Sequence, residues 1–221
     1  MSNYVLKYSR SDAVKYISHL DFVRMFHRAV RRSGLPMSYS QGFNPHPIMT
    51  VAMPLSVGVT ADGELLKIGF DAELTPDEIK TALNKALPVG FSIVAAQKAD
   101  EKHPDFAELD RAVYTVDIET EASFLINAEA FLANPELKVM KKSKSGIKEA
   151  DIRPHIHSFE VLETGSTLHQ LKLCVSAGNL YNLKPETVVD ALKLYTDGFS
   201  PVFLSVHRNC MLAGTKEFLK N

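Results

Sequence analysis

Between Asn3 and Arg10 the chain mixes β-branched and aromatic residues with polar ones, as a strand does. Ser18, with Asp21 three residues on, then predicts a helix from His19 to Ser33. Gly34 is placed to stop it and Pro36 prevents its continuation. A Gly/Pro-punctuated loop, Ser40–Pro47, is followed by strand-like runs at 48–59 and 64–71, with Asp62-Gly63 as the turn between them. Thr75-Pro76-Asp77-Glu78 predicts a second helix, since Thr caps and Pro suits the first helical position; it ends near Leu87-Pro88, and 91–96 reads as a strand. The second half reads alike: a strand near 112–119, a helix near 121–133, β segments near 137–143, 156–163 and 167–176, a helix at 185–196 and a strand at 202–212. The order β-α-β-β-α-β, written twice, predicts an α+β fold of two tandem ferredoxin-like units (split βαβ, βαββαβ) with antiparallel sheets. The halves are 1–100 and 111–221, joined by an acidic linker at 101–110.

Composition narrows the class. The chain has 221 residues, 45% hydrophobic and 23% charged, which excludes disordered, collagenous and coiled-coil readings. No run of about 18 apolar residues predicts a membrane-spanning helix, and Met1-Ser2-Asn3-Tyr4 lacks an export pattern, so a cytoplasmic protein is expected. Cys174 and Cys210 are the only cysteines, without CxxC spacing, so neither a disulfide framework nor a thiolate zinc site is expected. No GxGxxG, GxxxxGK[ST], GxSxG or HExxH occurs, so nucleotide-dependent and common hydrolase classes lose support and no cofactor is expected.

The net charge of −1 hides a segregation. Residues 1–50 carry seven Lys/Arg against two Asp/Glu, residues 51–137 six against sixteen, and residues 138–153 six against two. Two basic islands therefore stand in a near-neutral chain. The first lies mostly on the first helix. At 100° per residue, Phe22, Val23, Phe26, Ala29 and Val30 fall on one side, and Arg24, His27, Arg28 and Arg31 on the other, with Arg32 and Asp21 at its edge. Arginines at i, i+4 and i+7 repel one another. An anion-facing stripe explains them, because guanidinium forks suit phosphate oxygens; a solvated face, or pairing with carboxylates of the same half, explains them too. In the loop after the helix, Pro45 and Pro47 stiffen the backbone around His46 and Gly42 permits a turn. Gln41, Phe43, Asn44 and His46 are thereby candidates for contact with a partner, Phe43 by stacking on a base.

The second island, Lys141, Lys142 and Lys144 with Arg153 in Asp151-Ile-Arg-Pro154, reads as a mobile basic turn suited to phosphate-backbone contact, or simply as a solvated loop. Among the histidines, His19, Asp21 and His46 are candidates for acid–base chemistry if the fold brings them together. His155 and His157 have the i, i+2 spacing of two metal ligands, but no third ligand is evident nearby, so no metal is assigned.

At Tyr16–Arg24, Arg28–Pro36 and Tyr39–Pro47 the chain resembles the radical SAM-linked protein family, found beside or fused to predicted radical S-adenosylmethionine enzymes. Asp151-Ile-Arg-Pro154 and the overall length agree with it. The resemblance implies an intracellular bacterial accessory protein with a radical enzyme as partner, and supplies no reaction. With no CxxxCxxC, the chain is expected to hold no iron–sulfur cluster of that type. The two-unit reading with an arginine helix is also similar, at the level of fold alone, to repeat-associated RNA-binding proteins of CRISPR systems. The function expected is an accessory protein of a radical S-adenosylmethionine enzyme that binds RNA or another phosphate-rich partner through a basic face, without catalytic activity of its own. An RNA-processing enzyme using His19 and His46, and a pure protein-interaction subunit, are the alternatives.

Overall fold

In the computed structural model, which describes residues 1–99, 105–143 and 146–220, the chain divides into two units. One is Met1–Glu108 with Thr215–Asn221, the other Leu109–Gly214. The first unit runs β1 (Ser2–Arg10), α1 (His19–Ser33), β2 (Met49–Val51), β3 (Thr60–Phe70), α2 (Pro76–Ala86) and β4 (Phe91–Lys98). β1 lies between β3 and β4, antiparallel to both. β2 pairs antiparallel with the same β3 residues that face β1, Leu66 and Ile68 among them, so it occupies the other edge of β3. The strand order is β4-β1-β3-β2.

Both helices start and stop where the sequence places them. Ser18 accepts the amide of Asp21, and Gly34 ends α1 in the left-handed region at φ 76°. α2 opens on a reciprocal capping box between Thr75 and Glu78, which satisfies two otherwise orphaned amides. α1 buries Phe22, Phe26, Ala29 and Val30. Phe22 stacks on Tyr8 of β1 (centroids 4.9 Å apart, rings 13° from parallel) and packs against Phe26 and Phe91.

Two expectations are corrected here. The run 48–59 is not one strand: β2 stops at Val51, because Met53 turns into the left-handed region (φ 45°) and Pro54 has no amide to donate. Asp62-Gly63 is not a hairpin turn but lies within β3. Opposite Tyr8 and Arg10 of β1 stand Glu64 and Ala61, so β3 carries one extra residue there, a bulge.

The second unit runs β5 (Arg111–Thr120), α3 (Ala128–Leu132), β6 (Lys138–Ser143), β7 (Gly146–Asp151), β8 (Ile156–Thr164), β9 (Leu168–Ser176), α4 (Pro185–Tyr195) and β10 (Pro201–Ala213). Its antiparallel pairings give the order β10-β5-β9-β8. Counting in chain order only the four strands of each of these ladders, both run fourth, first, third, second. The architecture is α+β, with antiparallel pairing in both sheets.

The helix expected over 121–133 shrinks to the five residues of α3. The amides of Glu121 and Phe124 are taken by the carbonyls of Ser200 and Ser166, and Asn127 caps the helix that remains. β6 matches the β segment expected near 137–143, and it pairs with β7 so that Lys141 stands opposite Lys148; of the expected basic turn, residues 144–145 lie outside the described residues. Of the expected linker, residues 101–104 lie outside the described residues. Phe106–Glu108 forms a short 3₁₀ turn, and Phe106 packs on Phe218 at 5.4 Å. The tail from 215, with the short strand β11 (Lys216–Glu217), belongs to the first unit, not to the second half. There Lys7 donates to Glu217 at 2.6 Å. Among the described residues, no helix is long and apolar enough to cross a membrane.

Phe26 sits within the aromatic cluster, so Phe26→Ala removes a fully buried ring and is expected to cost about 3–5 kcal/mol of unfolding free energy, measured by urea denaturation. His169 is buried between the hydroxyls of Thr120 (3.2 Å) and Thr164 (2.9 Å). Burial holds its imidazole below the usual range. The unfolded chain therefore takes up the proton first as pH falls, so stability is full above about pH 6.5 and declines below it. Thermal melts across that window are expected to show a shallower decline for His169→Gln than for the native chain.

Candidate anion-binding face

α1 is set in place from both ends. Arg10, buried at the end of β1, donates to the carbonyls of Val14 (3.3 Å), Lys15 (2.7 Å) and Ile17. It thereby ties down the turn that leads into the helix; burial alone lowers its guanidinium pKa, and the charge of Glu64 works against that. At the other end Arg32 donates to the Ala86 carbonyl at 2.7 Å, where the C-terminus of α2 carries partial negative charge. With the apolar side of α1 packed on β1, its arginines project outward.

Their partners differ. Arg24 reaches Asp21 at 3.6 Å with both side chains largely exposed, a pair worth little. Arg28 and Arg31 are exposed and have no hydrogen-bond or ion-pair partner among the described residues. Three carboxylates of the same unit are engaged elsewhere: Glu73 with Lys98, Glu78 in its capping box, and Asp71 as acceptor from Ser38 at 2.6 Å. His27 is half-buried, and burial followed by the charge of Arg31 holds it below the usual imidazole range.

The loop after α1 is closed by its own backbone. Ile48 donates to the Ser38 carbonyl and Ser40 to the His46 carbonyl, each at 2.9 Å. The Ser40 hydroxyl also meets His46 Nδ1 at 2.9 Å and accepts the His46 amide at 3.1 Å. His46 is thus a brace for the loop. At the tip Gly42 takes φ 126°, Gln41 and Asn44 are exposed, and Phe43 is fully exposed, packed on nothing.

His19, Asp21 and His46 are not gathered. The segment before His19 is anchored through Arg10, which pairs with Ala61; the loop is anchored through Ser38 on Gly69. Eight residues of β3 separate these anchors, roughly 25 Å of strand. An acid–base pair of His19 with His46 is therefore not formed. Arg28 and Arg31, by contrast, lie in the half of α1 that leads into the loop.

In the second unit Arg153 is half-buried and donates through Nε to the Leu132 carbonyl at 3.0 Å. It is a structural group there, not an exposed anion contact. Lys141 donates to the Asn182 carbonyl at 3.0 Å and lies 4.0 Å over the Tyr181 ring. The side chain of Lys142 and residue Lys144 lie outside the described residues. His155 and His157 meet at one hydroxyl, that of Ser176, and among the described residues no group of three His, Cys, Asp or Glu side chains is placed to hold a metal.

Sequence reasoning missed Arg10 and Ser40. Neither stands in a recognisable motif, and each acquires its role only through carbonyls or a ring brought to it by the fold.

A family profile, DUF2344, described as an uncharacterized protein conserved in bacteria, matches residues 3–185. The chain belongs to this family. Membership brings no reaction, cofactor or partner with it, and no curated protein matches the chain. Among solved structures, a chain of a Cbf5–Nop10–Gar1 complex aligns with 94% of this DUF2344 chain at TM-score 0.50 and 8% identity. The alignment covers 48% of that chain, so this family member spans about half its length, and the likeness is one of fold alone. An unknown protein from Galdieria sulphuraria aligns over 94% of this chain and 98% of its own at 16% identity, with a TM-score of 0.27 that supports no comparison of structure.

Proposed function

We propose that the chain binds RNA, or another phosphate-rich partner, through Arg24, Arg28 and Arg31 of α1 and the loop that carries Phe43. In this reading it is an accessory protein of the bacterial cytoplasm that presents its ligand to a radical S-adenosylmethionine enzyme. The observation that carries the binding reading is the pair Arg28 and Arg31. Both are exposed and without a partner among the described residues, beside a braced loop with a fully exposed aromatic at its tip. Guanidinium groups supply the sequence-independent attraction to phosphates, and an unpacked ring supplies a stacking platform for an unpaired base. Arg32 is excluded from the contact, because its guanidinium serves the end of α2. The shared strand order of the two units supports reading each as ferredoxin-like. The radical-enzyme partnership rests on the sequence resemblance at Tyr16–Arg24, Arg28–Pro36 and Tyr39–Pro47.

The test is the affinity for a fluorescent single-stranded oligoribonucleotide, measured by anisotropy between about 50 and 200 mM salt. The logarithm of the affinity is expected to fall linearly with the logarithm of salt, by about 0.7 per phosphate contact. Arg28→Glu with Arg31→Glu is expected to weaken binding at least tenfold and to flatten that slope, whereas Arg32→Ala leaves the slope unchanged. Binding that ignores both salt and the double variant contradicts the proposal. Nuclease-resistant co-purification of a radical enzyme by a chain that binds no RNA assigns the arginine face to protein docking instead.

A further inference from the structure

The histidines that the fold does bring together are His155 and His157. His155 closes the 3₁₀ turn before β8, and His157 is the second residue of β8. Ser176 ends the neighbouring strand β9. His155 Nδ1 lies 3.2 Å from the Ser176 hydroxyl and His157 Nε2 lies 3.0 Å from the same oxygen. The two nitrogens are therefore no more than about 6 Å apart, joined through one hydroxyl.

The ring of His155 is fixed. It stacks on Tyr181 with centroids 3.4 Å apart and rings 4° from parallel. Lys141 lies 4.0 Å over the same tyrosine ring; with one face covered by His155, the ammonium occupies the other. Lys141 and Asp151 are the charged groups that act on His155, and Arg111 and Asp110 those that act on His157. Burial first, then the cations, hold both imidazoles below their ordinary range, with the two carboxylates opposing. Both shifts favour the uncharged imidazole.

A hydroxyl has one proton, so it donates to one imidazole and accepts from the other. Because His155 meets the hydroxyl through Nδ1 and His157 through Nε2, this forces the two rings into the same tautomer while giving their outer nitrogens opposite roles. The ring that receives the hydroxyl proton carries its own proton on its far nitrogen, and that nitrogen is a donor. The ring that donates to the hydroxyl has a bare far nitrogen, which is a base. These outer nitrogens, His155 Nε2 and His157 Nδ1, make no hydrogen bond to the described residues. His157 is exposed.

We propose that His155, Ser176 and His157 form a metal-independent acid–base site that cleaves RNA phosphodiesters through the 2′-hydroxyl. Its substrate class rests on the RNA-binding reading above; its residues are separate from that surface. In the reaction the 2′-oxygen forms a bond to the adjacent phosphorus and the bond from phosphorus to the 5′-oxygen breaks. The bare outer nitrogen takes the 2′-hydroxyl proton, and the protonated outer nitrogen of the other ring gives its proton to the departing 5′-oxygen. In the same concerted step one proton shifts through Ser176 from the first ring to the second, so neither ring becomes an imidazolium or an imidazolate. Both imidazoles end neutral, each switched to its other tautomer, and the products are a 2′,3′-cyclic phosphate and a 5′-hydroxyl. Arg111 and Lys141 supply positive charge on either flank for the phosphate. Nothing in the step requires a protonated imidazolium.

The experiment uses the full chain and a single-stranded oligonucleotide with one ribonucleotide, beside its all-deoxy counterpart. Cleavage at the ribonucleotide with a cyclic phosphate end, and none of the all-deoxy strand, is expected. The rate is expected to rise with pH and hold a plateau above pH 7, where a pair needing an imidazolium declines. His157→Gln and His155→Gln are expected to lower it about 100-fold or more. Ser176→Ala is expected to lower it at least tenfold with binding unchanged. Native chain that binds the strand without cleaving it overturns this site and leaves the binding proposal standing. If no RNA is bound, nitrogen-15 correlation spectra of the imidazoles decide separately: the same tautomer at His155 and His157, with that match lost in Ser176→Ala, supports the relay, and opposite tautomers overturn it.

Discussion

Four aromatic rings decide what α1 shows to solvent. Tyr8 of β1 stacks on Phe22, and Phe22 in turn meets Phe26 and Phe91. A helix whose apolar stripe is held by stacked and tilted rings has one rotational setting, since turning it by a single residue would swing these rings out of contact. Arg10 fixes the helix start through three backbone carbonyls, and Arg32 fixes its end against α2. Arg28 and Arg31 have no inward alternative. Their mutual repulsion is retained in the folded chain, and the binding proposal rests on it.

The two candidate sites follow different logic. The α1 face is built on exposed, always-charged groups beside a loop braced by Ser40 and His46, an arrangement suited to holding a polymer by its phosphates. The second-unit cluster is built on neutral groups that share protons, with an aromatic stack fixing one ring. The proposed binding and the proposed chemistry thus rest on separate residues, so either proposal can be tested without touching the other. The segregation of charge along the chain anticipates only the first site, because neutral histidines leave no mark in a charge count.

Much of the first unit is legible in the sequence. Ser18, Gly34, Thr75 and Pro76 mark helix ends through local backbone chemistry, so α1 is placed to the residue. The amphipathic period gives both its buried and its arginine faces. What fails is whatever depends on a partner strand. Asp62-Gly63 has the composition of a turn, yet pairing with β1 absorbs it as a bulge. Residues 121–127 have helical composition, yet neighbouring carbonyls take their amides. The site residues divide the same way. Arg28 and Arg31 are predictable from one helix, while Arg153 reads as a surface cation and is in fact bonded to the Leu132 carbonyl. His19 with His46 is a plausible pair by composition that roughly 25 Å of strand keeps apart, and the pair that meets is joined by Ser176, 19 residues from His157 in the chain.

The central claim, that the arginine helix and the loop are one nucleic-acid surface, has a direct optical test. The chain contains no tryptophan, so Phe43→Trp places a single reporter at the loop tip. Adding single-stranded RNA at low salt is predicted to quench its emission by base stacking, with recovery on raising the salt and no quenching when Arg28 and Arg31 are replaced by glutamate. Emission that stays constant while RNA binds would show that the loop takes no part and would contradict the account.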